Sequence, residues 1–454
     1  MGSTHVTSSA KAPLDLIYRK IFLRLLPFLM ILWTLAWIDR VNIGFVKLTM
    51  TEDLGWSEAV YGLGAGIFFI GYFIFEVPSN LLLQKIGAKK TLMRITIGWG
   101  LTSIAMIFAT TPTIFYSLRF LLGVFEAGFY PGIILYLTYW FPAKRRAKAF
   151  GTFMSASAFA GVLGGPLAGW IMNTFDGVNN LNGWQWVFIV EGTPSVLAGF
   201  VVWLYLTDRP HQAKWLTVEE QELVAEDLAA DNNAVEGREH SLLQSLKSGR
   251  IWQFIAIFFC IISANSALTF FGPTLVQEVG FKDPLAIGWI MAAVNLAGGI
   301  GMILNGLHCD KTGESRWHTA TAVTFGAAGL AGAGLLLNVS AAGTLLCLGL
   351  AIVGTMSAIP VFWQMPNWFL AGGAAAGGVA LINSMANLAG FGAPFLLGAV
   401  KDSTGSLSPG LFIVAGVEVL AALLILKLVP SFRTTDAAAA PAVQDASKES
   451  EQAV

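Results

Sequence analysis

Twelve separate stretches of this chain are each apolar over about twenty residues or more, the length at which a helix crosses the hydrocarbon core of a bilayer. They fall at 22–48, 58–83, 91–109, 113–139, 147–174, 184–206, 250–277, 285–308, 318–338, 341–366, 373–400 and 409–430. In lipid every backbone amide must find its partner inside the protein, and a segment of this length does so as a helix. Of the 454 residues, 55% are hydrophobic and 12% charged. Soluble domains carry roughly twice that share of charge, so this chain cannot clothe itself in a polar surface. The expected fold is an all-α membrane protein of twelve transmembrane helices, with lipid as its main solvent.

Lys and Arg mark the two sides of the membrane. On the side of the N-terminus lie Lys11, Arg19, Lys20, Arg24, Lys85, Lys89, Lys90, Arg94, Lys144, Arg145, Arg146, Lys148, Lys311 and Arg316. The opposite loops hold Lys47, Lys282 and Lys401, and no Arg. Both termini are therefore expected to be cytoplasmic. The polar start, MGSTHVTSSAKAPLDLIYRK, lacks the apolar core of a cleaved signal peptide and the acid-free, Arg-rich pattern of a transit peptide, so the first apolar stretch is expected to stay as a span. One long polar interruption, 208–249, has helical spacing and many acids over 217–230 and reads as a solvated connector. The expected organisation is a cytoplasmic segment 1–21, a six-helix bundle 22–207, a cytoplasmic linker 208–249, a second six-helix bundle 250–430, and a disordered, low-complexity tail 431–454.

The two bundles repeat each other. NLLLQKIGAKK (80–90) follows the second span, and GLHCDKTGESR (306–316) follows the eighth; Gly87 matches Gly313 and Lys85 matches Lys311. At nearly the same offset, GVLGGPLAGW (161–170) has a weaker echo in GFGAPFLLGA (390–399). Repeats on this scale are a mark of secondary transporters, whose substrate site lies between the repeats near mid-membrane. With the long linker and the basic Gly turn, this plan resembles the major facilitator superfamily. The second half keeps that superfamily's turn motif at Gly306, Asp310, Lys311, Gly313 and Arg316, while the first half has Asn80 and Gln84 where Gly and Asp are usual. Within the superfamily, IDRVNIGF, YGLGAGIFFIGYFIFEVPSNLLLQKIGAKK, RFLLGVFEAGFYPGI, YWFPAKRRAKAFG and ALINSMANLAGFGAP resemble the anion:cation symporter family. Its members import organic anions such as hexonates, hexuronates, tartrate, phthalate, nicotinate and hydroxyphenylacetate, usually with protons. FWQMPNWFL together with LINSMAN is most similar to the tartrate, phthalate and hydroxyphenylacetate branch. The resemblance implies two pseudo-symmetric six-helix bundles, a bacterial-type inner membrane and a monomer.

Asp39 and Arg40 stand in the middle of the first span, where an unpaired charge costs about 2.5–3.5 kcal/mol or more. Such charges face a polar cavity or find a partner. Arg40 lies roughly 12 Å below the outer surface, Arg119 at similar depth, and Glu126 nearer the midplane; Arg119 and Glu126, seven apart, share a helix face. A guanidinium offers a planar fork that holds a carboxylate bidentately and does not deprotonate. Arg40 is the expected primary anion ligand. By resemblance, Arg119 holds Glu126 or Asp39, or serves as a second cation; alternatively both arginines pair with acids to lock the first and fourth helices together. His5, His211, His240, His308 and His318 all lie in termini, loops or helix ends, so a coupled proton must ride on Asp or Glu. Glu126 and Asp39 are the expected carriers, as the family's matching positions imply. Glu76 is expected at the inner gate with Asp310, Lys311 and Arg316 of the basic turn. Tyr72 resembles the family's binding tyrosine. Asn383 and Asn387, four apart on one face, can hydrogen-bond the far end of a substrate or bridge helices. Trp37, Phe362 and Trp363 are candidate aromatic walls. Glu191 carries no functional reading, and Glu418 reads as part of a helix-packing seam.

The sequence has no GxxxxGK[ST] loop, no HExxH and no Cys/His cluster, and Cys260, Cys309 and Cys347 are far apart. An enzyme, a metal site, a disulfide framework and a cofactor are not expected. A net charge of −1 without a basic aromatic face argues against nucleic acid. The expected partners are a small organic anion, protons and lipid. The leading reading is a proton-coupled importer of small organic carboxylates that works by alternating access. An organic anion exchanger or a uniporter of the same fold is the alternative, and a receptor-like sensor would bind without net flux.

Overall fold

A computed structural model describes residues 11–233, 248–369 and 373–430. The first ten residues with His5, the linker stretch 234–247 with His240, and the tail 431–454 expected to be disordered lie outside the described residues.

The described regular structure is helical. In the first half run α1 (Lys11–Leu54), α2 (Glu58–Ile86), α3 (Ala88–Ala105), α4 (Pro112–Glu126), α5 (Phe129–Thr138), α6 (Ala143–Phe175) and α7 (Gly183–Tyr205). The linker carries α8 (Val218–Asn233). The second half holds α9 (Gly249–Glu278), α10 (Pro284–Thr312), α11 (Ser315–Leu336), α12 (Ala341–Phe362), α13 (Gln364–Phe369), α14 (Gly373–Asn387), α15 (Ala389–Thr404) and α16 (Ser408–Leu428). They supply twelve spans long and apolar enough to cross a membrane, α4 with α5 making the fourth. Helix starts follow the local sequence: Ser57 accepts from the Val60 amide, Thr111 from Ile114 and Asp283 from Ala286, each satisfying an orphan N–H of a first turn.

Three spans expected to be continuous are interrupted. The fourth breaks after Glu126, where Ala127 is extended and Gly128 takes φ 83°, a left-handed conformation that glycine adopts without strain. A Cβ at Gly128 would also lie 2.6 Å from the Ser79 side chain. The tenth at Trp363 and the eleventh at Leu388 keep right-handed helical dihedrals and lose regular hydrogen bonding for one residue only. A break such as the one after Glu126 frees backbone groups at membrane depth and accompanies binding sites in transporters. In addition, α1 begins at Lys11, so part of the expected polar start is helix.

Within the first half α3 packs on α7, α2 on α4 and α1 on α6; within the second, α11 packs on α12 and α16, and α10 on α12. Across the halves the pairs are α6 with α10, α2 with α15 and α1 with α9. These approaches are closest toward the end that carries the Gly55–Ser57 turn, here the far end. There the backbones of Gly165 and Gly288 meet, and a Cβ at Gly288 would lie 2.4 Å from the Gly165 carbonyl oxygen. The same end is cross-linked by charge. Glu58 takes both Lys47 and Lys401 (2.7 Å), and Lys401 also meets Glu278 (2.8 Å). Lys47 donates to Thr274 (2.8 Å) and sits over the Phe271 ring, while Asp402 accepts from the Glu58 and Ala59 amides. Nearby, Asn173 donates to Asp283 across the halves. That bond, with the amides of the first turn of α10, holds the Asp283 carboxyl below the usual carboxylate range.

The opposite, linker end differs. Buried apolar side chains form one cluster through both halves toward the far end. Near the linker end the second half keeps a separate core around Ile251, Phe254, Phe258, Phe362 and Ile425. The first part of the linker is not the solvated connector expected of it. Trp215 stacks on Trp140 at 5.6 Å, Tyr18 donates to Asp227 (2.9 Å), Lys20 pairs with Glu220 (2.7 Å), and Asp231 accepts from the Ala143 amide. Paired charges and one aromatic stack bind it to the first half.

Candidate functional site

Arg40 lies on α1 fourteen residues from Leu54, and Tyr72 lies on α2 fourteen residues from Glu58, so antiparallel helices bring both to the same depth. The guanidinium of Arg40 is within 5.3 Å of the Tyr72 ring, 5.4 Å of Phe68 and 5.7 Å of Trp37. Its Nε donates to Glu126 Oε1 at 2.9 Å, and a terminal nitrogen meets the same oxygen. The Glu126 side chain is 2% exposed and that of Arg40 is 16% exposed. A cation thus sits in mid-membrane, walled by aromatic faces that suit it, held by one carboxylate and not fully covered. Of the expected first-half residues, the structure brings Arg40, Glu126, Tyr72 and Trp37 together.

Two first-half expectations need correction. Arg119 pairs with neither Glu126 nor Asp39. Fully buried, it donates to the carbonyls of Gly64 (3.1 Å) and Ala65 (3.3 Å) on α2 and lies over the Phe68 ring. The physical reason is local: Glu126 is taken by Arg40, and the carbonyls of Gly64 and Ala65 lie within reach of the guanidinium. Asp39 does not share a chamber with Arg40. Adjacent residues on a helix point about 100° apart, and Asp39 faces α3 and α7, accepting from Trp99 Nε1 (3.1 Å), Ser103 Oγ (2.9 Å) and Ser195 Oγ (2.7 Å). On the same side Asn42 donates to Glu191 (3.0 Å).

In the second half, antiparallel contacts fix the level of the two asparagines. Gly62 abuts Pro394, Gly66 abuts Phe391, Phe69 abuts Gly390, and Ser384 donates to Glu76 at 2.6 Å. Asn387 falls between the last two contacts, at the level of Tyr72 and Arg40; Asn383 falls beside Glu76. Both asparagines are half-buried, and neither side-chain amide has a hydrogen-bond partner among the described residues. Phe362 is corrected: it is fully buried, stacked on Phe258 at 4.6 Å, and lines no cavity, because α12 turns that face toward α9. Trp363 packs edge-on against the same Phe258 and keeps partial exposure. In the basic turn, Asp310 accepts from Gln364 (3.0 Å) and Arg316 donates to the Leu426 carbonyl, both within the second half, while Lys311 is exposed in the last turn of α10. Glu418 is fully buried, accepts from Thr355 (2.7 Å) and leaves Oε2 without a partner.

Sequence reasoning missed Phe68, the Glu58 ion network and the polar nest around Asp39. Lys47 and Lys401 were visible as charges at the far end, but nothing local pairs them. The repeat offset was a usable signal elsewhere. Glu191 and Glu418 are 227 residues apart, close to the 226 between Asn80 and Gly306, and each lies in the sixth span of its half.

The comparisons with known proteins agree. The model of the Major Facilitator Superfamily matches residues 29–394. A "Putative tartrate transporter" of Agrobacterium vitis is 45% identical over 412 residues, covering 91% of this chain and 94% of that protein. The "Putative metabolite transport protein NicT" of Pseudomonas putida is 42% identical over 427 residues, covering 94% and 98%. The crystal structure of a D-xylose-proton symporter superposes with a TM-score of 0.72 at 15% identity, covering 89% of this chain and 98% of that one, which speaks for the fold alone.

Proposed function

This chain belongs to the major facilitator superfamily, as an integral membrane transport protein rather than an enzyme, and from that premise we propose that it imports small organic carboxylates together with protons by alternating access. The observation that carries the reading is the Arg40–Glu126 pair. A substrate carboxylate and the Glu126 carboxylate compete for one guanidinium. Protonating Glu126 removes the competitor and frees the fork of Arg40 for the anion. Proton and anion therefore favour each other's binding, which is what symport requires. Trp37, Phe68 and Tyr72 offer aromatic faces to the substrate body, and Asn387, with Asn383 below it, offers amide groups from the other half.

Charge asymmetry supports placing the linker end in the cytoplasm of a bacterial-type cell, with both termini inside. On that orientation the far end is the outer one. Its ion network and meeting glycine backbones support an outward-closed form, in which Glu76 and Ser384 form the first polar contact on the inward path and the Asp310 turn, among the described residues, is not engaged across the halves. Importing an anion against an inside-negative potential costs about 2.3 kcal/mol per charge per 100 mV. Net inward positive charge then needs at least two protons per monoanion and three per dianion such as tartrate; two protons make a dianion's entry electroneutral. The substrate named for the Agrobacterium relative makes tartrate the first probe, with phthalate and hydroxyphenylacetate beside it. The test is thermal-shift screening of purified monomer with these acids, then uptake into proteoliposomes under an inward proton gradient. Accumulation of at least one acid driven by the gradient is expected; uptake only in exchange for a loaded counter-anion would replace symport by antiport.

A further inference from the structure

The Arg40–Glu126 pair accounts for one proton, while a second pair of acids behind α1 has no part in that scheme. Asp39 and Asn42 are three apart on α1, and Ser195 and Glu191 are four apart on α7, so each couple shares a face. Two bonds join the helices: Ser195 to Asp39 at 2.7 Å and Asn42 to Glu191 at 3.0 Å. The two carboxyls thus stand about one helical turn apart, both buried. From α3 the facing groups are Trp99 and Ser103, both donors to Asp39. The titratable groups of α3 are Lys89, Lys90 and Arg94, and Arg94 bonds Ser79 toward the linker end. Those of α6 are Lys144, Arg145, Arg146 and Lys148 in its first two turns, and the turn Met106–Phe108 against α7 has none. On the other side of α1, Arg40 is held by Glu126, and the Glu126 carboxyl is close enough to interact with Asp39.

Two ionised carboxylates at that spacing, dry and without a cation of their own, repel strongly enough that one must carry a proton. The hydrogen bonds say which. Asp39 accepts from three donors, which suits the acceptor-only ionised form. Glu191 accepts one bond, and its Oε1 and the Oδ1 of Asn42 are both buried without a partner. A neutral carboxyl and a primary amide pair through two bonds, N–H to carboxyl oxygen and O–H to amide oxygen. The first is present, and the second would use the two orphaned atoms.

We propose that Asp39, Glu191 and Asn42 form a second proton-binding site of the first half, with the proton on Glu191 in this conformation. Resting on the symport reading, it supplies the second coupled proton. Glu126, the partner of Arg40, acts through space on Asp39, so the state of the Arg40–Glu126 pair is felt at the second site. While an anion or Glu126 neutralises Arg40, the acids keep their proton; when Arg40 loses its counter-charge, the proton is expelled.

The test is infrared difference spectroscopy of the full-length protein at neutral pH, with Glu191→Gln and Asn42→Asp as variants, paired with the proton-to-tartrate ratio from reversal potentials in proteoliposomes. Loss of a protonated-carboxyl C=O band in Glu191→Gln, with the ratio falling by one proton, is expected. In Asn42→Asp a third acid joins the cluster and the band should strengthen. An unchanged band in Glu191→Gln overturns the site. A lost band with an unchanged ratio overturns its coupling role, and binding of sodium alone, seen as sodium-dependent stabilisation lost in Glu191→Gln, overturns the ligand. A wild type with no response to a proton gradient sinks the symport reading itself, which the band, read without substrate, keeps distinct from failure of the site.

Discussion

The two halves follow one helical plan, yet their interiors differ in charge. Within its spans the first half buries Asp39, Lys47, Glu76, Arg119, Glu126 and Glu191 and leaves Arg40 slightly exposed. The second half buries Glu418 at the position equivalent to Glu191 and otherwise presents amides such as Asn383 and Asn387 at comparable depth. The contrast suggests a division of labour. On the proposed function, charge that would recognise an anion and hold protons is kept on one half, where its partners are fixed. The other body contributes neutral groups, which can slide past the charged face without leaving an ion unpaired in lipid. On that reading rocking spares the Arg40–Glu126 pair, while the Glu58–Lys401 bridge that joins the halves at the far end has to part.

The largest break in that comparison is Arg40→Ala. If the first half alone supplies the anion's counter-charge, losing the guanidinium strands both the substrate and Glu126, a cost of about 3 kcal/mol or more. Affinity should fall at least about a hundredfold, seen as loss of the thermal shift with tartrate. Arg40→Lys should recover little of it, since an ammonium lacks the planar fork. A normal thermal shift in Arg40→Ala would move recognition elsewhere.

Next comes Glu126→Gln. The amide is a permanent stand-in for the protonated acid, so anion binding and exchange between loaded vesicles should persist while gradient-driven accumulation stops. Here the first half would be uncoupled without being blinded. Continued accumulation in proteoliposomes under a proton gradient would remove Glu126 from the coupling scheme.

Much of this was legible in the sequence, and the limits have physical causes. The twelve spans follow from length and apolarity, because lipid leaves the backbone no alternative to helix. That Arg40 and an acid on the fourth span would meet follows from depth. Helix rotation does not: Asp39 and Arg40 are neighbours in sequence, and which of them faces the other half is set by how α1 packs on α3, α6 and α7. The partners of Asp39 show the same limit, since Trp99, Ser103 and Ser195 are ordinary residues until three helices converge on them. Phe362 looked like a wall beside a proline and is a core residue because Phe258 stacks on it. The break after Glu126 went unread because Gly128 is one glycine among 49.

A smaller effect is expected from the second half. Asn387→Ala removes amide groups that have no partner among the described residues, so the fold should not notice. The substrate should, by about one hydrogen bond, ~1 kcal/mol, or roughly a fivefold rise in KM for tartrate uptake. Asn383→Ala, one turn below the level of Arg40, should cost less. A greater loss at Asn383 than at Asn387 would mean that the substrate sits nearer Glu76 than the contact register implies.

The smallest expected effect tests the comparison most sharply. Glu418 and Glu191 occupy equivalent positions and are equally dry, but only Glu191 has a second acid beside it. Without Asp39's counterpart and without a cation, Glu418 has no cause to exchange its proton during transport; it accepts from Thr355 and presses Oε2 against Gly326, where a Cβ would come within 2.4 Å. Glu418→Gln keeps that shape and an acceptor for Thr355, so stability should change by less than about 1 kcal/mol and the proton-to-tartrate ratio not at all. Glu418→Ala, which opens a cavity and strands Thr355, should lower the melting temperature while leaving the ratio alone. Should Glu418→Gln instead reduce the ratio as Glu191→Gln is expected to, protons ride on both halves, and the neutrality of the second half is a matter of which groups are charged at rest rather than of what it does.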